Sequence, residues 1–320
     1  VTVAASETAT TAAARLAYLG PEGTFTHAAA LALGERGTPV PLATVTDVYD
    51  AVASGAVSTG VVAIESSVEG YVVPSLDAIV AARDVVAVDE VTLDISFDAL
   101  TRPGATDLTE VTAHPHGLAQ CAAWIAARGL RPVPASSNAA ACRDVEPHQV
   151  ALGPSLCAEL YGLHTLASAV QDFAGGRTRF LALTRRDVAR AELAAARASG
   201  AVAGWRTMLA ITPHVTGPGV LARITAAFGE RGVNMSSLIT RPLKAQEGTY
   251  VFVVTLDGAP WEPHVRTLLE QLLEAGDSLK TLGVFPDRTS SDAGFDDSRV
   301  PAASVQRGAP AADADRGLLW

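Results

Sequence analysis

A hydroxyl, a guanidinium and an aromatic ring stand in a row at Thr178, Arg179 and Phe180. The turn-forming run Gln171-Asp172-Phe173-Ala174-Gly175-Gly176 leads into them, and the apolar residues Leu181, Ala182 and Leu183 follow. A loop entering a buried strand is where α/β sheets open ligand clefts. The threonine suits a hydrogen-bond donor or proton relay, because its hydroxyl is too weak an acid to give up a proton freely near neutral pH. The arginine offers a planar fork that fits a carboxylate, and that fits an internal ion pair equally well. The phenylalanine shapes an apolar wall.

Three further loops carry groups of the same kind. In Gly20-Pro21-Glu22-Gly23-Thr24 a helix begins after Thr24, so Gly23 lets backbone approach a ligand and the helix start offers N–H groups to an anion. A plain strand-to-helix turn with Thr24 as N-cap explains the loop as well. The apolar run at residues 60–64 ends in the polar residues Glu65, Ser66 and Ser67. Ser136, Ser137 and Asn138 precede another helix, more capping groups than one helix needs, and so suggest a carboxylate cradle. His114 and His116 have no third ligand at a usual metal spacing, so no metal is expected, and His114 reads as a cleft or capping residue. No nucleophile elbow, Walker loop or dinucleotide fingerprint is present, and no cofactor is expected.

The elements that must position these groups alternate strand and helix from Leu16 to Thr184, with a crossing near residue 95 and a return near residue 170. That pattern implies two α/β lobes facing a cleft. Residues 185–206 read as a linker, part helical. Residues 207–286 run strand, helix, strand, strand, helix, strand, the βαββαβ order of a ferredoxin-like unit. Residues 1–14 read as a disordered leader, and residues 287–320, rich in Ala, Asp, Ser and Pro, as a disordered tail.

Composition narrows the partners. A formal net charge of −10 argues against a nucleic-acid binder, and an anionic substrate would need a local pocket set against that field. No uninterrupted apolar stretch reaches membrane-spanning length, and no signal pattern opens the chain. Cys121, Cys142 and Cys157 form no C-x-x-C pair, which favours free thiols in a reducing compartment, the cytoplasm.

Tyr161, Leu163, Leu166 and Asp172, ending in Thr178-Arg179-Phe180 with Leu181 and Leu183, form a spaced pattern that resembles the signature of prephenate dehydratases. The resemblance runs over about residues 16–184. It implies a bilobal catalytic domain like that of periplasmic binding proteins, with prephenate as substrate and phenylpyruvate as product. It also implies Thr178 and Glu65 as catalytic groups, with Gly23, Thr24, Ser66, Ser67, His114, Ser136, Ser137, Asn138, Arg179 and Phe180 at the substrate. Where the family reads Pro-Ile-Glu-Asn-Ser, this chain has Ala63-Ile64-Glu65-Ser66-Ser67, so fine details of substrate contact are expected to differ. Arogenate dehydration, decarboxylation without aromatisation and simple ligand sensing are the alternatives. Retention of the Thr-Arg-Phe element favours dehydration.

Gly217-Pro218-Gly219-Val220-Leu221 and Arg231-Gly232-Val233-Asn234-Met235 resemble an ACT regulatory domain. The resemblance implies phenylalanine as effector, a homodimer or homotetramer, and an effector site at Gly219, Val220, Leu221, Asn234, Ile239, Thr240 and Arg241. The family's Glu-Ser-Arg-Pro element reads Ile239-Thr240-Arg241-Pro242 here. Either the missing carboxylate weakens feedback, or Ile239 merely packs a strand face.

Overall fold

The computed structural model describes residues 14–200, 202–243, 250–288 and 304–305. The chain divides into two compact units, residues 1–287 and 288–320, and the account below concerns the first. The expected leader and tail lie almost wholly outside the described residues.

The first lobe holds β1 (Arg15–Leu19), α1 (Phe25–Ala32), β2 (Thr38–Leu42), α2 (Val45–Ala53), β3 (Thr59–Ser66), β4 (Gly70–Tyr71), α3 (Val73–Ala81) and β5 (Val85–Asp94). The second holds β6 (Asp98–Thr101), β7 (Glu110–Ala113), α4 (Pro115–Gln120), α5 (Ala122–Ala127), β8 (Arg131–Pro134), α6 (Asn138–Asp144), β9 (Gln149–Gly153), α7 (Leu156–Tyr161) and β10 (His164–Ala167). Strand β11 (Arg177–Arg185) returns to the first lobe, where it lies antiparallel between β3 and β5. The first-lobe sheet runs β2-β1-β3-β11-β5 and the second β10-β6-β9-β7-β8.

Local chemistry sets these elements. The run Gly60 to Ile64 is buried on both faces of β3 except at Ala63, as a central strand should be. Helix α2 starts at a capping box in which Thr44 and Asp47 each satisfy the other's backbone N–H. The two crossings between lobes are tied together. Ile95 N–H donates to the Gly176 carbonyl at 2.7 Å, Val170 N–H to Phe97 at 2.8 Å, and the Gln171 Oε1 accepts from Phe97 N–H at 3.0 Å.

After β11 come α8 (Arg186–Ser199), β12 (Trp205–Thr212), α9 (Val220–Glu230), β13 (Met235–Pro242), β14 (Tyr250–Asp257), α10 (Pro263–Glu274) and β15 (Ser278–Pro286). The last six form the expected βαββαβ unit, with strand order β13-β14-β12-β15. One face of that sheet packs on α9 and α10 through Ile211, Phe252, Val254 and Leu268. The other face, with Met208, Ala210, Val251 and Val253, shares a core with Leu76, Ile79 and Val85 of the first lobe. Strand β15 also meets β5 in parallel where Gly283 lies opposite Ala87, a contact too close for a Cβ at residue 283.

Several boundaries differ from expectation. The stretch 185–206 holds the expected helix, but its ends belong to the flanking strands. Arg185 closes β11, Trp205 and Arg206 open β12, and between them α8 sets Ala189 onto Val86 and Val88. The Ala/Arg/Glu composition of that stretch has high helix propensity. Helices α4 and α5 are divided at Cys121, whose φ of −119° and ψ of 21° leave helical geometry. Strands β4, β6 and β10 carry no pattern of their own, being two to four residues long.

Candidate active site

Strand β11 presents two unlike faces. Thr178 and Phe180 line a cavity of about 470 Å³ between the lobes, together with Phe25, Ser66, Phe97, His114, Gln120 and Asn138. A neighbouring cavity of about 570 Å³ is lined by Thr24, Ser136, Ser137 and, again, Phe25, His114 and Asn138. The two spaces share walls, so the cleft brings together residues from the loops after β1, β3, β7 and β8. Across β3, Thr178 lies opposite Ser66 and Arg179 opposite Glu65, but Phe180 lies opposite Ala63. Ile64 is therefore an extra residue in β3, a bulge beside Thr178. Such bulges re-aim side chains next to sites.

Arg179 does not reach the cavity. Its side chain is 10% exposed and its fork is consumed internally, Nη2 on Glu65 Oε2 at 2.9 Å and Nη1 on Glu90 Oε2 at 3.3 Å. The carboxylate-binding role expected for Arg179 is corrected accordingly. Period-2 alternation puts it on the face opposite Thr178. Glu65 is corrected with it, because its carboxylate is spent on Arg179 and lies outside the cavity walls. Burial pushes the Glu90 carboxyl up, against the pull of Arg179 and Arg206.

The Gly23 loop is also closed from within. Gly23 has φ of 86°, and a Cβ there would lie 2.9 Å from Cys157 Sγ. Its N–H donates to His27 Nδ1 at 3.0 Å and its carbonyl accepts from Cys157 at 3.2 Å, so the chain that approaches Gly23 is α7, not a ligand. Burial lowers the pKa of His27, which keeps the ring neutral and able to accept. Thr24 caps α1 by accepting from His27 N–H at 3.1 Å. Ser67 accepts from Arg177 N–H at 2.8 Å and serves to pin the loop to β11, outside the cavity walls.

Three residues face the cleft with oriented donors, Asn138, His114 and Ser66. Asn138 Oδ1 accepts from His114 N–H at 2.9 Å, which fixes the amide and leaves its NH₂ to donate. His114 Nδ1 accepts from His116 N–H at 3.3 Å, which puts the ring proton on Nε2. Burial and the nearby His116 lower the pKa of His114, so it is neutral at neutral pH. Ser66 Oγ accepts from Val68 and Glu69 N–H groups, leaving its own proton to give. Ser137 accepts from Ala140 N–H at 2.9 Å as the cap of α6.

Among the described residues no group of three or more His, Cys, Asp or Glu is placed to hold a metal ion. The three cysteines are buried and free, and burial pushes Cys121 up to about 12. No helix of the described residues is long and apolar enough to cross a membrane.

Sequence reasoning missed Phe97 and Gln120. Gln120 donates to Glu69 across the cleft mouth at 3.1 Å. Neither sits in a motif. Phe25 directly follows Thr24 and was the visible signal, since Phe97 packs edge-on against it.

The expected effector residues separate. Gly219, Leu221 and Thr240 are exposed, Val220 packs toward the helix-side core, and exposed Asn234 donates to Asp257 at 2.7 Å. Ile239 packs against the core shared with the first lobe, and Arg241 pairs with Asp77 of α3 at 2.7 Å and 2.9 Å. The seven therefore lie on both faces of the sheet, because β13 alternates while Gly219–Leu221 sit with α9.

Fold and cleft define a bilobal α/β enzyme joined to a small regulatory domain. A family model for prephenate dehydratase matches residues 16–188 and one for the ACT domain residues 215–274. The chain belongs to the prephenate dehydratase family. It is 32% identical over 308 residues to the prephenate dehydratase of Amycolatopsis methanolica, covering 92% of this chain and 98% of that one. The structure of the Arthrobacter aurescens prephenate dehydratase in complex with L-Phe superposes with a TM-score of 0.74 at 29% identity, over 85% of this chain and 89% of that one. A protein described as a novel type of quorum quenching acylase matches with the same TM-score of 0.74 at 26% identity, over 85% and 97%.

Proposed function

We propose that the chain converts prephenate to phenylpyruvate, carbon dioxide and water, with Thr178 as the donor to the departing oxygen. The bond from the ring to its carboxylate breaks and the electron pair enters the ring. The C4–O bond breaks in turn, and its oxygen leaves with the bonding pair and takes a proton as water. Aromatisation supplies much of the driving force. Thr178 faces the cavity opposite Ser66, where a hydroxyl donor relieves the charge that develops on the leaving oxygen. Phe25, Phe97 and Phe180 make that end of the cavity poorly hydrated, which favours loss of a carboxylate as neutral carbon dioxide.

The carboxylates are held by neutral donors. Among the described residues Arg177 is the arginine of the cavity wall, exposed at its rim with Nε on Asp94 at 2.9 Å. The Asn138 amide, His114 Nε2–H and the hydroxyls of Ser66 and Ser136 remain for the substrate, and the half-buried start of α1 at Thr24 and Phe25 lines the adjoining space. No cofactor enters this reaction. Phenylalanine is the effector we assign to the ACT domain, in a homodimer or homotetramer. Three buried free thiols fit a cytoplasmic site.

The observation that carries this reading is Thr178 on the cavity face of the strand returning between the lobes. Purified protein incubated with prephenate should yield phenylpyruvate, seen by its ultraviolet absorbance. A non-aromatic acid as product would overturn dehydration in favour of decarboxylation. Turnover of arogenate alone would move the substrate. Release of an acyl group from an N-acyl amide, with prephenate untouched, would favour acylase chemistry.

A further inference from the structure

Behind Thr178, on the face of β11 turned from the cavity, runs a ladder of four charges. Glu65 and Arg179 are joined at 2.9 Å, Arg179 and Glu90 at 3.3 Å, and Glu90 and Arg206 at 3.7 Å. Arg206 belongs to β12, the first strand of the ACT domain, and its Nη2 donates to Ser236 on β13 at 2.8 Å. The ladder therefore leads from the neighbour of Thr178 into the regulatory sheet. Its middle is deeply buried, with the Glu90 side chain 1% exposed, Arg179 10% and Arg206 11%. Glu90 Oε1, Arg179 Nε and Arg206 Nε are all buried without a hydrogen-bond partner. The ladder is thus tight at Glu65 and slack toward Arg206. A second contact runs beside it, since Tyr71 belongs to the cavity wall and its buried hydroxyl lies near both Glu65 and Ser237 of β13.

A buried charge network with unsatisfied members is sensitive to small displacements, because charges interact strongly at low local dielectric. The Arg179 guanidinium is shared between two carboxylates, and Arg206 competes for one of them. A shift of Arg206 alters the pull on Glu90, hence on Arg179, hence on the backbone that carries Thr178 beside its bulge. We infer that Glu90 is a positioning residue for Thr178, held in turn by Arg206, so that the ACT sheet sets the geometry of the cavity strand. This rests on the role given to Thr178 above.

The test uses the full-length chain with Glu90→Gln, Arg206→Met and the double variant. Two readouts are taken, prephenate kinetics and amide hydrogen exchange of residues 177–185. Glu90→Gln should lower kcat by about tenfold with KM within about twofold, and Arg206→Met by about threefold. The double variant should be no slower than Glu90→Gln alone, and Arg206→Lys should restore most of the rate. Exchange at 177–185 should quicken in each variant while residues 15–19 stay unchanged. Multiplying effects in the double variant, or full kcat in both single variants, would overturn the inference even if their melting temperatures fall. If Glu90→Gln does not fold, Arg206→Met against Arg206→Lys decides. If the parent itself leaves prephenate untouched, the role given to Thr178 fails, and what is left to judge is whether Arg206 and Glu90 hold strand β11. Exchange at 177–185 then decides alone, and an unchanged rate in Arg206→Met refutes it.

Discussion

The two faces of strand β11 meet opposite environments, a cavity on one side and a buried charge ladder on the other. The cavity face carries Thr178 and Phe180 among mostly aromatic and neutral polar side chains, with the exposed Arg177 and Glu69 as its charged members. The opposite face carries Arg179 in a buried ladder with Glu65 and Glu90, against a regulatory strand. Adjacent residues thus serve unlike ends. The cavity face, rich in neutral donors, can admit a dianion without trapping it, since neutral donors bind a carboxylate reversibly. The charged face spends its electrostatics on fixing strand and domains. A buried ion pair is weak evidence of stability, because the desolvation of both charges offsets their attraction.

Removing Arg179 breaks the comparison most severely. Arg179→Met leaves Glu90 buried with only the 3.7 Å contact to Arg206, and an uncompensated buried charge of that kind costs about 3–5 kcal/mol. The expected outcome is a large fall in melting temperature, read by calorimetry, with KM among the folded molecules little changed. A selective rise in KM at unchanged stability would put the guanidinium at the substrate after all and erase the distinction between faces.

Thr178→Ala strikes the other face. It should cut kcat by about 10²-fold or more, the scale of one transition-state donor, while the melting temperature stays close to the parent's. The side chain is half-buried at a strand start, where losing one hydroxyl costs little stability. Near-parental turnover would remove Thr178 from the chemistry and leave the cavity without its assigned donor.

How much of this was legible follows from range. Thr178 and Phe180 were readable because a strand alternates and the loop before them marks its mouth. The fate of Arg179 was open from its type alone. Its partners come from β3 and β5, 114 and 89 residues away in the sequence respectively. No local pattern reports such pairings. The βαββαβ order of the ACT domain was visible in periodicity, but which face β13 turns to the first lobe was not. Gly23 misled for a similar reason. A positive-φ glycine allows close approach, and only the fold shows that Cys157 is what approaches.

A smaller effect sharpens the comparison through pH. Neutral His27 accepts from Gly23 N–H, and its pKa lies below the usual histidine value because burial disfavours the charged ring. A lowered folded pKa contributes stability that is present above about pH 6.5 and is lost as pH falls through the folded value. Melting temperature should therefore drop on acidification, and less so in His27→Gln, whose amide oxygen accepts at any pH. Parallel acid limbs in parent and variant would show that the Gly23 loop does not depend on this ring.

The smallest expected effect lies at Ile239, where the family's carboxylate is missing. Ile239 is half-buried against Val251, Val253 and their neighbours in the core shared with the first lobe, on the sheet face away from α9. Gly219 and Leu221, by contrast, are exposed at the start of α9. A carboxylate restored at 239 would point into apolar contacts rather than toward that helix start. Ile239→Glu should then lower stability by about 1–2 kcal/mol, the usual scale for burying a poorly paired polar group at a half-open position. Phenylalanine affinity, by titration calorimetry, should stay within about threefold of the parent, a difference of under about 1 kcal/mol. A tenfold or greater gain in affinity, with inhibition deepening in step, would mean that position 239 faces the effector. The two sides of β13 would then exchange the roles assigned to them.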